Sequence, residues 1–130
     1  MAKTLSHLTP SLRLYVPKEN QGISRDKAAI HSFAVDPLSC HFSTVKQGVE
    51  ILNAFKKIPS LIPQIKIPTL LAHGSCDRIV LLQGSCEIFQ KMTVVDKEFH
   101  IFPGAYHELH NDLSASSYFE RLAYWFKSHL

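Results

Sequence analysis

Residues 67–80 read Ile67-Pro68-Thr69-Leu70-Leu71-Ala72-His73-Gly74-Ser75-Cys76-Asp77-Arg78-Ile79-Val80. The first part, Ile67 to His73, is a short apolar run with Pro68 at its entrance and Gly74 at its end. Such a run suits a strand buried in a parallel sheet, and proline fits the start of a strand. Beyond it, Ser85 is placed to open a helix with Ile88, Phe89 and Met92 turned inward. A second strand follows over Glu98 to Phe102, stopped by Pro103-Gly104. The last helix begins near Ser114 or Ser117. Ser117 and Glu120 have the spacing of a capping box, and Phe119, Leu122, Ala123 and Phe126 form the expected buried stripe. Strand, helix, strand, helix in this order predicts an α/β fold with parallel strands and right-handed crossovers. Two strands do not complete such a sheet, because parallel strands need neighbours and helices on both faces. A chain this short of strands is expected to be loosely packed or poorly soluble by itself.

Working back toward the N-terminus, the pattern changes near residue 60. The first half reads as helices and loops. Pro10, Pro17 and Asn20-Gln21-Gly22 break it early. A short helix is predicted from Ser24 or Asp26 to just before Asp36-Pro37, since proline disfavours helix at the residue before it. Ser43 can cap a longer helix. There Val45, Val49, Leu52 and Phe55 recur at helical spacing, with Lys46, Gln47, Glu50 and Asn53 between them. The expected division is therefore a mostly helical region over 1–60 and an α/β segment over 61–130.

Composition narrows the classes. The chain has 130 residues, 45% hydrophobic and 19% charged, the balance of a globular domain. Its 14 basic and 11 acidic residues are scattered, and no run of like charge points to nucleic acid. Cys40, Cys76 and Cys86 make an odd count without a CxxC, so free thiols in a reducing compartment are expected in place of a disulfide framework or structural zinc. No apolar run approaches the roughly 20 residues of a membrane span. Residues 1–18 lack acidic residues and carry leucines at 5, 8, 12 and 14, but not the continuous apolar core of a signal peptide.

In open α/β sheets the reactive groups gather just past the carboxyl ends of the strands. Each predicted strand end here carries a candidate: Asp77 after the first, and His107, in Pro103-Gly104-Ala105-Tyr106-His107-Glu108, after the second. Taken alone, Asp77 could simply satisfy the donors of its turn, and His107 could be an ordinary loop histidine. Together, in this order, they fit the orienting acid and the general base of a serine-hydrolase triad. His73 and His100 are expected to be structural, and His7, His31, His41 and His129 have no partner visible in the sequence. His107-Glu108-Leu109-His110 lacks the helical four-residue spacing of a zinc motif, and no metal or cofactor is expected. The nucleophile is missing. No pair of glycines frames a serine as G-x-S-x-G; Ser75 and Ser85 each follow a glycine but lack the second one, and Ser85 is expected to cap its helix. Cys76 lies beside the Asp77 charge, which raises a thiol pKa and opposes activation.

The stretch from Ile67 to Val80 with Gly84-Ser85, and the later Phe102-Pro103-Gly104-Ala105-Tyr106-His107-Glu108-Leu109-His110-Asn111, resemble the acid and histidine loops of monoacylglycerol lipases. These form the serine aminopeptidase S33 or lysophospholipase-like branch of the α/β-hydrolases. Ser24-Arg25-Asp26 and Asp36-Pro37-Leu38 resemble the end of that family's cap. The resemblance implies the C-terminal part of an α/β-hydrolase, with a partial cap followed by the last two parallel strands and their helices. It implies Asp77 as triad acid and His107 as triad base in carboxylic ester hydrolysis of an acylglycerol or related lipid ester. The family's nucleophile elbow and oxyanion loop lie upstream of everything in this sequence. It further implies peripheral membrane contact through the cap, and a cytoplasmic or peripheral membrane location is expected. Leu5, Leu8, Leu12 and Leu14, with Lys3, Arg13 and Lys18, would form either that amphipathic surface or, more plainly, an ordinary packed cap helix. The alternative is a non-catalytic truncated product that binds lipid or a protein partner through its unpaired strand edge.

Overall fold

The computed structural model describes residues 7–17 and 21–130. Leu5, Lys3 and Lys18, named above as part of an amphipathic surface, lie outside them, as does Asn20. Within the described residues the elements run β1 (Arg13–Tyr15), α1 (Lys27–Val35), β2 (Phe42–Thr44), α2 (Val45–Leu61), β3 (Thr69–Gly74), α3 (Leu82–Lys91), β4 (Lys97–Phe102) and α4 (Ala115–Lys127), with single 3₁₀ turns at Ile62–Gln64 and Leu109–Asn111.

β3 and β4 pair in parallel, from Thr69 opposite Lys97 to Gly74 opposite Phe102, as the alternation of elements predicted. The crossover helix α3 is tied to the strand that follows it. Lys97 donates from Nζ to the carbonyls of Met92 (2.6 Å) and Phe89 (2.9 Å), a cation on the orphan carbonyls of a helix C-terminus. The core gathers at the carboxyl end of the sheet, where Phe102, Ala105 and Leu109 are buried and Ala72 and Tyr118 pack against them. The Tyr118 ring meets Phe102 edge-on at 5.7 Å.

Asp26 caps α1, accepting from the Ala28 amide at 2.8 Å, and the helix stops before Asp36-Pro37 as predicted. Several local expectations are corrected. Thr44, not Ser43, caps α2, accepting from the Gln47 amide at 3.1 Å, because the helix starts at Val45 and Thr44 is the residue immediately before its first turn. α3 begins at Leu82, so Ser85 sits in its second turn and caps nothing. α4 starts after Ser114, and no Ser117–Glu120 capping box forms: Ser117 lies inside the first turn and donates to the Ser114 carbonyl at 2.8 Å. The buried face of α4 is Tyr118, Leu122 and Trp125, while Phe119 and Phe126 are exposed. Apolar residues occupy most of this helix, so its phase follows the fit of Tyr118 on Phe102 and not periodicity. β1 and β2, where helices and loops were expected, form an antiparallel ribbon of three pairs. Strands this short carry no period that a sequence window can register.

The chain exposes 9236 Å², roughly a third more than the area of about 7,000 Å² expected of a compact monomer of its mass. Much of the excess is apolar: Leu14, Phe42, Leu52, Phe55, Leu81 and Phe119 are each about half exposed or more.

Candidate active site

The site is built where β3 and β4 end side by side. Past the strands the ladder is continued by irregular backbone. The Ser75 amide donates to the Phe102 carbonyl (3.0 Å) and the Cys76 amide to the Ala105 carbonyl (3.0 Å). The Ser75 hydroxyl accepts from the Gly104 amide (2.8 Å). Gly74 makes this closeness feasible: a Cβ there would lie 2.4 Å from the carbonyl oxygens of both Ala105 and Tyr106. Gly104 turns the second loop with φ +71°, a conformation that costs glycine little.

The zipped loops bring Asp77 and His107 together. His107 Nδ1 lies 2.8 Å from Asp77 Oδ2. The other carboxylate oxygen accepts from the amides of Ile79 (2.8 Å) and Val80 (3.0 Å). The Asp77 side chain is 3% exposed and that of His107 36%. Burial alone would raise the Asp77 pKa, but the hydrogen bonds from His107, Val80 and Ile79 outweigh it and hold the carboxyl below its ordinary range. The acid is therefore ionised at neutral pH, and an anion at this position favours the tautomer with hydrogen on Nδ1. His107 Nε2 has no hydrogen-bond partner among the described residues. The pair thus offers one nitrogen anchored and one free.

His73, expected to be structural, is a neighbour of the site. Its Nε2 lies 3.1 Å from the Val80 carbonyl and 3.4 Å from Asp77 Oδ2, and its Nδ1 lies 2.8 Å from Ser85 Oγ. The geometry fits the tautomer that accepts from the Ser85 hydroxyl at Nδ1 and donates toward Val80 from Nε2. Ser85 and His73 are 8% and 7% exposed, so this serine–histidine pair faces inward. Ser75 holds the Gly104 amide. Neither serine stands opposite His107 Nε2. Elsewhere, His129, whose partner no sequence pattern revealed, stacks on Trp125 with centroids 3.8 Å apart and pairs with Asp96 at 3.1 Å.

Two surface concavities are present among the described residues, the first of them beside the His107 loop. A cavity of about 670 Å³ lies between α1 and the loop after His107, lined by Phe33, Asp36, Glu108 and Asn111 among others. An apolar groove of about 450 Å³ lies between β1 and α2, lined by Leu14, Val16, Val45, Val49, Ile51 and Leu52.

Residues 1–114 match the family described as serine aminopeptidase, S33. The chain belongs to this family. It is 32% identical to human monoglyceride lipase over 127 residues, covering 95% of this chain and 42% of that protein. A monoacylglycerol lipase of Mycolicibacterium smegmatis is 26% identical over 135 residues, covering 100% and 46%. The crystal structure of the Paleococcus ferrophilus monoacylglycerol lipase superposes with a TM-score of 0.91 at 30% identity, over 99% of this chain and 51% of the other. The chain thus spans about half the length of the relatives it matches, and the match falls on their C-terminal region. The S33 chain is the C-terminal part of an α/β-hydrolase fold, as its strand–helix order and its loop motifs implied. No helix among the described residues is long and apolar enough to cross a membrane.

Proposed function

We propose that this S33 chain carries the acid and base of a serine-hydrolase triad, Asp77 and His107, for hydrolysis of a carboxylic ester of the acylglycerol class. The observation that carries the reading is the hydrogen bond between buried Asp77 and His107 Nδ1 with Nε2 left free. In the reaction, Nε2 takes the proton of a serine hydroxyl while its oxygen attacks the acyl carbonyl. It then gives the proton to the departing glycerol oxygen, and water repeats the cycle on the acyl-serine. Asp77 stays ionised throughout, fixing the ring and stabilising the imidazolium. The serine and the oxyanion donors belong to residues outside this chain. Residues 1–60 act as a partial cap over the 61–130 core segment. The apolar groove between β1 and α2 supports an acyl chain and contact with a lipid surface there, and the location proposed is cytoplasmic or peripheral membrane. The non-catalytic alternative has no observation of its own beyond the missing nucleophile.

The test is a chimera that joins the uncovered N-terminal part of the Paleococcus lipase to this chain. It is expected to hydrolyse a monoacylglycerol and to lose that activity on His107→Ala. The chain alone is expected to resist a serine-reactive phosphonate. A folded but inert chimera, or stoichiometric labelling of the chain alone, overturns the proposal.

A further inference from the structure

The loop that carries His107 is held from both sides. One side is the β3 end, already described. The other is the short segment 22–26 that leads into α1, 87 positions earlier at its strongest contact. Gly22, Ile23 and Ser24 are buried. The His107 amide points at the Gly22 carbonyl (3.4 Å) and the Glu108 amide donates to the Ile23 carbonyl (2.8 Å). Ser24 Oγ donates to the Asn111 carbonyl and accepts from the Asp26 amide, each at 2.8 Å. Next to these, Arg25 grips Asp112. Its Nε lies 2.9 Å from Oδ1, its backbone amide 2.9 Å from Oδ2, and its Nη2 pairs with Oδ1 and with Ser114 Oγ. The Asp112 side chain is 0% exposed, and it also receives the Ser114 amide (3.2 Å) and, more distantly, the Tyr106 amide (3.5 Å).

Asp112 therefore closes the His107 loop at both ends, at Tyr106 and at Ser114, and Arg25 fixes Asp112. A guanidinium meets a carboxylate in a rigid fork, whereas an ammonium meets it as a point charge. The segment's two backbone contacts fall on His107 itself and on the residue after it.

We propose that Arg25, acting through Asp112 and together with Ser24, is a positioning residue that sets the place of the His107 imidazole against Asp77. This rests on the reading of Asp77 and His107 as acid and base, and it ties the cap end of the chain to the base of the triad. A general base displaced by even an ångström loses much of its effect, so the latch acts on the rate and not on substrate affinity.

The test follows His107 directly. In the chain with 15N-labelled histidines, the Nδ1 proton shared with Asp77 gives a slowly exchanging, far-downfield signal; the buried His73 ring is the internal control. Arg25→Met is expected to speed exchange of the His107 proton about tenfold or more while the His73 signal and the helix content stay unchanged. Arg25→Lys, which keeps the charge without the fork, is expected to fall between. An unaltered His107 signal in Arg25→Met, with the control intact, overturns the proposal. Should Arg25→Met lose both signals, Ser24→Ala decides: it is expected to speed His107 exchange about threefold or more with His73 held, and no change at His107 overturns the latch. In the chimera, Arg25→Met is expected to lower kcat about tenfold with KM within about twofold. A chimera without hydrolysis but with a responsive His107 sinks the triad reading and leaves the latch standing. A wild-type chain without the His107 signal sinks both.

Discussion

The region around β3, β4 and their loops differs sharply from the ribbon and long helix of β1, β2 and α2. In the first, the backbone beyond the strands is bonded across to its neighbour, Phe102 and Ala105 are 3% and 0% exposed, and carboxylates are buried on named partners. In the second, α2 runs over 17 residues with Val49 its only buried residue, and Leu52 and Phe55 are more than half exposed. The lesson is that a half-sized α/β chain can complete the bonding of one site while leaving apolar surface elsewhere unmatched. The contacts that fix Asp77 and His107 come from within 22–114, whereas the apolar side chains of α2 stay largely uncovered among the described residues.

The largest effect is expected from Asp77→Asn in the chimera, which leaves the imidazole near its place in the wrong tautomer. Monoacylglycerol turnover should fall by about 10⁴-fold in kcat, and a fall of less than about tenfold would separate Asp77 from the chemistry. Phe102→Ala comes next. It empties the centre of the core and should cost about 3–5 kcal/mol in urea unfolding. Gly74→Ala places a methyl group against two carbonyl oxygens and should cost about 3 kcal/mol, with loss of the His107 Nδ1 proton signal as the loops part.

Acid should weaken the site region. Burial alone would raise the Asp112 pKa, but the hydrogen bonds and charge of Arg25 overcome it and bring the value from 3.8 down to about 2; Asp77 is lowered too. Because both folded-state values lie below the unfolded ones, their stabilisation is complete above the unfolded value and is lost as pH falls through the folded one. For Asp112 this amounts to about 2 kcal/mol. The urea midpoint should drop between pH 6 and pH 2, and Asp112→Asn should flatten that drop. The smallest effect is expected for Phe55→Ala in α2, within about 0.5 kcal/mol. A cost near that of Phe102→Ala would mean that the α2 face is packed in solution, by a second copy or otherwise, and would end the contrast. Concentration-dependent sedimentation of the wild-type chain separates those cases.

Much of the architecture was legible because it is written locally. The apolar run ending at Gly74, the stop at Pro103-Gly104 and the Asp26 cap each act within a few residues. Asp77 and His107 were legible for a related reason: a parallel sheet presents its strand ends on one side, so one candidate per strand end must converge. The misses share the opposite property. β1 and β2 stabilise each other only as a pair, and the phase of α4 depends on Tyr118 finding Phe102. Ser85, placed at a helix start by its residue type, was claimed by His73 from the neighbouring strand. Arg25 and Asp112 are separated by 87 positions, and no spacing rule links an arginine before one helix to an aspartate before another.

The sequence alone was enough for the strand–helix–strand–helix order after residue 60 and for the two loops that bear an acid and a histidine, since both follow from short-range pattern and the handedness of the chain. Only the tertiary structure decided that Asp77 Oδ2 meets His107 Nδ1 with Nε2 free, that Gly74 must be glycine, and that residues 22–26 brace the histidine loop. Those are distances between groups far apart along the chain, and they are fixed by how the packed strands and loops exclude other arrangements.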